Sequence, residues 1–279
     1  MSAEGEAPAE DVVVTGEALQ AMLGDPVVRI IDLSDRDRHA EGHVPGALHL
    51  EYARLLRQDP PAMGLLPDPE HLGQLFSRLG LTPDTYVIAY DDAGGGKASR
   101  LLWTLAVVGH RRYALLDGGL QGWVADGRPV ERGVTSPPAG GDYPVPATGP
   151  SDHLADRQYL LENLHRRDLV PVDARSPAEY RGEDLRAARG GHIPGAINLE
   201  WTLALDPGRD NRLQSREALR TLLESRGITR DKEAVAYCQT HHRSSLLWLV
   251  LRYLGYQRVR GYPGSWSEWG NAPDTPIEK

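Results

Sequence analysis

The sequence predicts an α/β fold built twice in tandem, each time as a parallel sheet with helices on both faces. Three observations lead to this prediction. The chain has 279 residues, which is enough for two domains of ordinary size. Its two halves contain the same sequence blocks in the same order. Within each half, short apolar runs alternate with loops and helical segments, which is the element order of α/β domains.

The repeat consists of four pairs of blocks. The first pair is an apolar run that ends in an aspartate, at Asp32 and at Asp173. The other pairs are EGHVPGALHLEY (41–52) with GGHIPGAINLEW (190–201), 85–110 with 233–256, and 113–131 with 258–278. A repeat of this length indicates two homologous domains rather than a short-period solenoid. We expect its Pro-Gly steps to form turns, because proline fixes φ and glycine permits the bend.

Within each repeat, one apolar run is typical of a buried parallel strand, at residues 87–89 and 234–236. A loop and a helical segment follow it, at 101–108 and 246–254, and a glycine ends each segment. Residues 215–228 predict another helix, because their leucines are spaced three and four apart.

The segment 132–151 is the predicted linker, since it contains many prolines and glycines. It divides the chain into a first domain at residues 1–131 and a second domain at residues 152–279.

Composition and charge narrow the function. The net charge is −8 and no basic block occurs, so we expect no nucleic-acid partner. A single cysteine excludes a disulfide within the chain and a zinc cage built from cysteines. The N-terminus lacks the features of a signal peptide, and no apolar run reaches the ~20 residues that span a bilayer. We therefore expect a cytoplasmic protein without a membrane partner.

The one cysteine, Cys238, lies in the stretch AYCQTHHRSSLLW, residues 236–248. It could be a buried hydrophobe, a metal ligand or a nucleophile. We predict a nucleophile, because backbone N–H groups and a positive helix end should converge where the strand passes into the helix. His241, His242 and Arg243 add positive potential that would lower the pKa of the thiol. Three ligands in one tight loop would have difficulty pointing at one tetrahedral metal, so we expect no metal.

The duplicated loop strengthens this prediction. Asp91 stands where the second repeat has Cys238, in a loop that is two residues longer. A cysteine needed only for packing would be replaced by an apolar residue, whereas an aspartate indicates a loop without the chemistry. The glycines at 94–96 and Lys97 do not complete a phosphate-binding motif, since the required first glycine is Asp91. We predict that this loop contacts or closes over the other domain.

The spacing between the cysteine and the arginine bears on the substrate. Four residues separate Cys238 from Arg243. A tyrosine-phosphatase loop has five residues between its thiolate and its arginine. The shorter loop should form a tighter ring of N–H groups, which suits an anion attached to the cysteine itself, such as a persulfide. No obvious general acid for an alcohol leaving group follows, which also disfavours a phosphatase.

The chain resembles a two-domain rhodanese, or thiosulfate sulfurtransferase, of the bacterial type whose active loop reads Cys-Gln-Thr-His-His-Arg. The blocks EGHVPGA, YDDAGGGKASR, DGGLQGW, DARSPAEYRGE, GGHIPGAINLEW and GYPGSWSEWGNAPDTP carry the resemblance along the whole chain. It implies two rhodanese-like domains, each with a parallel five-stranded sheet and helices on both faces. It also implies that the first domain is catalytically silent and that the active site lies between the domains.

The resemblance implies a double displacement. The Cys238 thiolate would attack the outer sulfur of a small anionic donor, thiosulfate in the type case, and release sulfite. A thiophilic acceptor, such as cyanide, a thiol or a protein cysteine, would then take the sulfur from the Cys238 persulfide. No metal and no organic cofactor is expected, and family precedent suggests a monomer.

The predicted site contains Cys238 as catalytic residue and seven substrate-binding residues. These are Gln239, Thr240, His241, His242, Arg243, Arg175 and Trp201. Vertebrate-type enzymes have a second substrate arginine where this chain has Glu179, so that contact cannot be transferred. Arg181, Arg186 or Arg189 could replace it.

Three other functions stay open at this point. A 3-mercaptopyruvate sulfurtransferase would share the fold and the persulfide, but such enzymes typically have a smaller, Gly/Ser-rich loop after the cysteine. A persulfide carrier for a partner protein would need the same Cys238. A phosphatase or arsenate reductase is more distant.

Overall fold

The same series of elements occurs twice along the chain. The computed structural model describes residues 12–137, 141–146 and 151–279. The first half contains β1 Val13–Val14, α1 Gly16–Ala21, β2 Val28–Asp32, α2 Arg36–Glu41, β3 Leu48–His49, a 3₁₀ turn Tyr52–Leu55, β4 Arg57–Asp59, β5 Ala62–Leu65, α3 Pro69–Arg78, β6 Tyr86–Tyr90, α4 Gly96–Val107, β7 Tyr113–Leu116 and α5 Gly119–Ala125.

The second half repeats this order with small additions. It contains α6 Arg157–Asn163, β8 Leu169–Asp173, α7 Pro177–Tyr180, β9 Ile197–Asn198, a 3₁₀ turn Trp201–Ala204, β10 Leu205–Asp206, a 3₁₀ turn Pro207–Arg209, β11 Arg212–Leu213, α8 Arg216–Glu224, β12 Glu233–Tyr237, α9 Arg243–Tyr253, β13 Val259–Gly261 and α10 Ser265–Trp269. The predicted strands at 87–89 and 234–236 therefore lie in β6 and β12, and the predicted helices lie in or overlap α4, α9 and α8.

Each half forms a parallel sheet. The first sheet has five strands in the order β1-β7-β6-β2-β3. Alternate residues of β6 face opposite sides: Val87 and Ala89 belong to one apolar cluster, Ile88 and Tyr90 to another. Helices therefore cover both faces of the sheet, as predicted.

The second sheet departs from the predicted five strands. It has four strands in the order β13-β12-β8-β9. The position that β1 occupies in the first sheet is reduced to a single parallel bridge between Leu154 and Gly261. The N–H of Leu154 donates to the Ser151 carbonyl in a turn, and α6 starts at Arg157, so no residues are left to extend the ladder.

Part of the predicted linker packs on the first domain. Tyr143 is buried, lies edge-on against Phe76 and shares a hydrogen bond of 2.8 Å with His110 Nδ1. Residues 138–140 and 147–150 of the predicted linker lie outside the described residues. The exact domain boundaries therefore stay a prediction.

The two halves are joined by α4 and α9. One apolar cluster contains residues from both helices, including Leu101, Leu105, Leu246 and Leu249. Trp103 Nε1 donates to the His153 carbonyl oxygen across the boundary at 2.9 Å. Because α4 and α9 each follow a strand-end loop, this packing brings the two loops, at Asp91 and at Cys238, close to the domain boundary.

Among the described residues, no helix is both long and apolar enough to cross a bilayer.

Candidate active site

Cys238 lies immediately after the central strand β12 and is 1% exposed. The segment at the start of α10 fixes its backbone. The Cys238 N–H donates to Ser265 Oγ at 3.2 Å, and the Cys238 carbonyl accepts from the Trp266 N–H at 2.9 Å. The cysteine is therefore held at the carboxyl end of a parallel strand, where such sheets place their ligand sites.

The loop after the cysteine turns its carbonyl groups outward. The Gln239 carbonyl accepts from the Ser267 N–H at 3.0 Å, and the carbonyls of Thr240 and His241 face the guanidinium of Arg100 at 3.5 and 3.4 Å. In a trans peptide the following N–H points the opposite way. The N–H groups of Thr240, His241 and His242 are therefore directed toward the inside of the loop.

These N–H groups are left for the sulfur. In the described part of the chain, the backbone N–H groups of residues 239–244 donate to no protein oxygen. Those of Thr240 and Ser244, together with the Ser244 hydroxyl, lower the pKa of the Cys238 thiol. Buried N–H groups almost always have an acceptor, so a loop of this kind calls for an anion at its centre.

The environment favours the thiolate. Burial by itself raises the pKa of the Cys238 thiol. The positive charge of Arg243, the Ser244 hydroxyl and the N–H groups of Ser244 and Thr240 outweigh it, so the pKa is lowered. A larger fraction of Cys238 is therefore ionised near neutral pH than for an ordinary thiol.

Arg243 is held by the residue that departs from the vertebrate pattern. Its Nη1 and Nη2 donate to Glu179 Oε2 and Oε1 at 2.6 and 2.8 Å, and its positive charge lowers the pKa of Cys238. The Glu179 side chain is only 2% exposed. Burial opposes its ionisation, but Arg243 and the Ser176 N–H bring the pKa of Glu179 down to about 2. Glu179 is thus an ionised carboxylate that orients Arg243 beside the sulfur.

The two histidines of the loop have different positions. His241 is fully buried, has a positive φ of 55° and bonds Ser244 Oγ through Nδ1 at 2.7 Å. Its ring lies edge-on against Trp103 of the first domain, behind the loop. Burial, together with the charge of Arg100, keeps its pKa well below the usual value, so it is neutral. No contact of His241 supports the predicted substrate-binding role, whereas its hydrogen bond orients Ser244.

His242 contacts aromatic rings of both halves of the chain. Its ring lies 5.4 Å from that of Tyr52 and 6.4 Å from that of Trp201. Burial lowers its pKa. Trp201 also packs against the Asp91 loop. Its ring lies so close to Gly94 that a methyl group on that residue would be 3.3 Å away. Trp201 and His242 are thus neighbours at the domain boundary.

Arg175 is placed differently from the prediction. It is 1% exposed, and its Nη2 donates to Asp173 Oδ2 at 2.6 Å and to the Gly191 carbonyl at 2.8 Å. Its guanidinium lies over the ring of Trp266. These contacts make Arg175 a structural residue that connects Asp173, Gly191 and Trp266. The geometry gives no support to a substrate contact. The reason is that the strand-end aspartate, two residues earlier, already binds its guanidinium.

Of the three arginines that could supply a second cation, one lies beside the site. Arg189 donates to the carbonyls of Trp269 and Thr275, and the exposed Arg181 pairs with Glu183. Arg186 is half-exposed, lies 3.6 Å from Glu179, and its carbonyl accepts from Gln239 Nε2 at 3.0 Å. Arg186 is therefore the arginine of this set that adjoins the active loop.

The matching loop of the first domain contains its own anion. Asp91 Oδ1 accepts from the N–H groups of Ala93 and Gly95 at 2.9 and 2.8 Å, and Oδ2 accepts from that of Ala98 at 3.0 Å. The carboxylate occupies the centre of the N–H ring and satisfies it. This loop has neither a nucleophile nor a free place for an external anion.

Sequence reasoning did not identify Ser244, Ser265 or Arg100 as parts of the site. Ser244 directly follows Arg243, so a hydroxyl at the first turn of the helix was a usable signal. Arg100 and Ser265 come from distant segments, and nothing local connects them with Cys238. In the described ranges, no group of three or more His, Cys, Asp or Glu side chains is arranged to hold a metal.

Replacing Ser244 with alanine should raise the pKa of the Cys238 thiol, because the Ser244 hydroxyl is one of the groups that lower it. We expect the rate of Cys238 alkylation near neutral pH to fall about 10-fold and to recover at high pH. Iodoacetamide kinetics across a pH series measure this. Ser225→Ala, which removes an exposed hydroxyl bonded to Leu222, is the matched control. An unchanged pH profile for Ser244→Ala would refute the role of the hydroxyl.

Replacing Asp91 with alanine should destabilise the fold, because two buried N–H groups and one partly buried N–H group lose their acceptor. We expect the free energy of unfolding to fall by about 3 kcal/mol. The control is Asp92→Ala, which removes only a 3.8 Å pair with the exposed Arg38 and should cost less than about 1 kcal/mol. Urea unfolding distinguishes them, and equal losses would contradict the account of the Asp91 loop.

Comparisons with known proteins identify the family. A model of the rhodanese-like domain matches residues 15–126 and again 156–272. The chain is 50% identical to a thiosulfate sulfurtransferase of Azotobacter vinelandii, over 96% of this chain and 97% of that protein. It is 40% identical to the sulfur carrier protein TtuD of Thermus thermophilus, over 96% and 97% of the two chains.

A solved structure gives the same result for the fold. The 3-mercaptopyruvate sulfurtransferase SseA of Escherichia coli aligns with a TM-score of 0.78 at 27% identity, over 92% of this chain and 99% of that one. Two matches to one domain model and full-length relatives at high identity establish the assignment: the chain belongs to the rhodanese family and contains the rhodanese-like domain twice.

Proposed function

We propose that this chain is a thiosulfate sulfurtransferase that carries the transferred sulfur as a persulfide on Cys238. The observation that carries the proposal is the ring of N–H groups around a buried, ionisable thiol, with Arg243 beside it. Relatives at 50% and 47% identity bear the name thiosulfate sulfurtransferase, and each is matched over nearly its whole length. The chain is accordingly an enzyme of the rhodanese type.

In the first step the Cys238 thiolate attacks the outer sulfur of thiosulfate. A sulfur–sulfur bond forms at Cys238 while the bond between the two thiosulfate sulfurs breaks, and its electron pair leaves with sulfite. The terminal sulfur of the new persulfide carries the negative charge. The N–H groups that bond the thiolate are well placed to bond this sulfur, so the charge stays in one preorganised environment.

In the second step a nucleophilic acceptor attacks the terminal sulfur. The persulfide bond breaks, the Cys238 thiolate is the leaving group, and cyanide as acceptor becomes thiocyanate. Neither step moves a proton when donor and acceptor react as anions, which fits a site where the environment, rather than a general base, activates the nucleophile.

We propose further roles for the residues around Cys238. Arg243, fixed by Glu179, stabilises the thiolate and meets the incoming anion, and Arg186 supplies the second cation at the entrance. Gln239, Thr240 and His242 contribute loop backbone, and Trp201 borders the pocket. The catalytic domain covers residues 152–279 and the silent domain residues 1–131. The internal duplication supplies the domain pairing, so we infer a monomer, acting in the cytoplasm.

A sulfur-carrier role is a second candidate, because one relative at 40% identity is named a sulfur carrier protein. Enzyme and carrier would share the Cys238 persulfide and differ in the acceptor. Fast transfer to a protein cysteine alongside slow cyanide turnover would favour the carrier.

Incubation with thiosulfate should add one sulfur atom to the chain. Intact-mass spectrometry is expected to show this gain in the parent protein, its loss after cyanide is added, and no gain in Cys238→Ser. The chain has a single cysteine, so the variant is a complete control. A parent protein that gains no sulfur would remove the proposal.

Thiosulfate should be a better donor than 3-mercaptopyruvate. The loop presents charged and bulky residues after the cysteine, which suits a small inorganic anion better than a keto acid. We expect kcat/KM with thiosulfate to exceed that with mercaptopyruvate under identical conditions. The reverse order would assign the chain to the alternative donor class.

A further inference from the structure

The strongest unexplained feature near the site is a buried arginine of the first domain. Arg100 lies on α4 and is 0% exposed. Among residues 12–137, 141–146 and 151–279, its hydrogen-bond partners are all backbone carbonyls. Its Nη2 donates to the carbonyl oxygens of Gly64, Leu65 and Leu55 at 2.7, 3.3 and 3.4 Å, and its Nη1 reaches those of His241 and Thr240. A guanidinium buried among neutral carbonyls is costly unless an anion lies nearby.

Two groups of the site, Tyr52 and Cys238, act on this arginine through their negative forms. Burial lowers the pKa of Arg100 to about 10, and the negative forms of Tyr52 and Cys238 act in the opposite direction. The guanidinium and the thiolate therefore stabilise each other across the domain boundary.

The first domain is shaped to bring Arg100 to the loop. A side chain at Gly64 would collide with the carbonyl oxygen of Thr240, so β5 and the active loop approach as closely as backbone allows. Gly64 supplies the shortest acceptor for Arg100. The planar guanidinium of Arg100 can therefore bind β5 through Nη2 and the active loop through Nη1.

We propose that Arg100 is a positioning residue for sulfur transfer, supplied by the silent domain. It holds the Thr240 and His241 carbonyls turned away from Cys238. The N–H groups of the following residues consequently face the sulfur, and the arginine charge adds to the stabilisation of the anion. The inference rests on the proposed function of Cys238 and gives the silent domain a direct part in it.

The test compares Arg100→Met and Arg100→Lys with the parent by the pH dependence of Cys238 alkylation with iodoacetamide. Arg100→Met loses both the guanidinium hydrogen bonds and the positive charge. We therefore expect the rate of Cys238 alkylation near neutral pH to fall at least ~10-fold and to recover at high pH. Arg100→Lys keeps the positive charge but not the two-sided hydrogen bonding of the guanidinium. Its pH profile of alkylation should therefore lie between those of the parent and Arg100→Met. Arg29→Met is the matched control, since Arg29 is a half-buried arginine of the same domain that donates to the Gly80 carbonyl.

The measurement separates positioning from bracing. If Arg100 only stabilised the packing of the two domains, Arg100→Met or Arg100→Lys would have a lower melting temperature, but the alkylation profile of the folded protein would be unchanged. That result would overturn the proposal. Lysine preserves most of the volume and all of the charge, so it keeps the test decisive if methionine prevents folding. Alkylation needs no sulfur donor, so its outcome is independent of whether thiosulfate loads Cys238.

Discussion

A set of backbone N–H groups turned toward one sulfur atom is the constraint on which the rest of this structure depends. Buried N–H groups without an acceptor cost free energy, so such a loop is stable only around an anion. In the second domain the anion is the Cys238 thiolate, with Arg243 and Ser244 beside it. In the first domain it is the Asp91 carboxylate, which accepts three of the N–H groups.

This constraint explains how similar loops in the two halves of the chain can surround different anions. A carboxylate at the centre is a permanent part of the fold and makes the Asp91 loop a structural element. In the proposed function, a sulfur at the centre gains one sulfur atom as a persulfide and loses it again, while the same donors stay in place. The residue at the centre, Asp91 or Cys238, is therefore the main chemical difference between the two loops, although the Asp91 loop is two residues longer.

The contacts between the domains give the first copy a role beyond packing. Arg100 and Gly64 hold the outer side of the active loop, and Trp103 covers His241 from behind. His241 is neutral and bonds Ser244, which in turn lowers the pKa of the Cys238 thiol. The loop is thus fixed from the first domain, and a second domain on its own would lack these supports.

The sequence alone predicted the duplication, the position of Cys238 between a strand and a helix, and the correspondence of Cys238 to Asp91 in the first repeat. Repeats and apolar runs are patterns that can be seen in the sequence itself. It did not predict Arg100, because a contact across a domain boundary leaves no trace in spacing. Arg175 was expected at the substrate because it matches an arginine that follows the strand-end aspartate in related enzymes, yet Asp173 and Gly191 occupy its donors. Glu179 was noted only as a departure from the vertebrate pattern, and its pairing with Arg243 required the fold.

The central claim is that the loop stabilises an anion on Cys238, and thiolate titration tests it most directly. Ultraviolet absorbance of the parent protein, minus that of Cys238→Ser to remove the tyrosines, follows this one group because the chain has no other cysteine. The account predicts a midpoint below the usual thiol pKa of 9.0. A midpoint at or above that value would mean that burial outweighs the donors, and it would contradict the account.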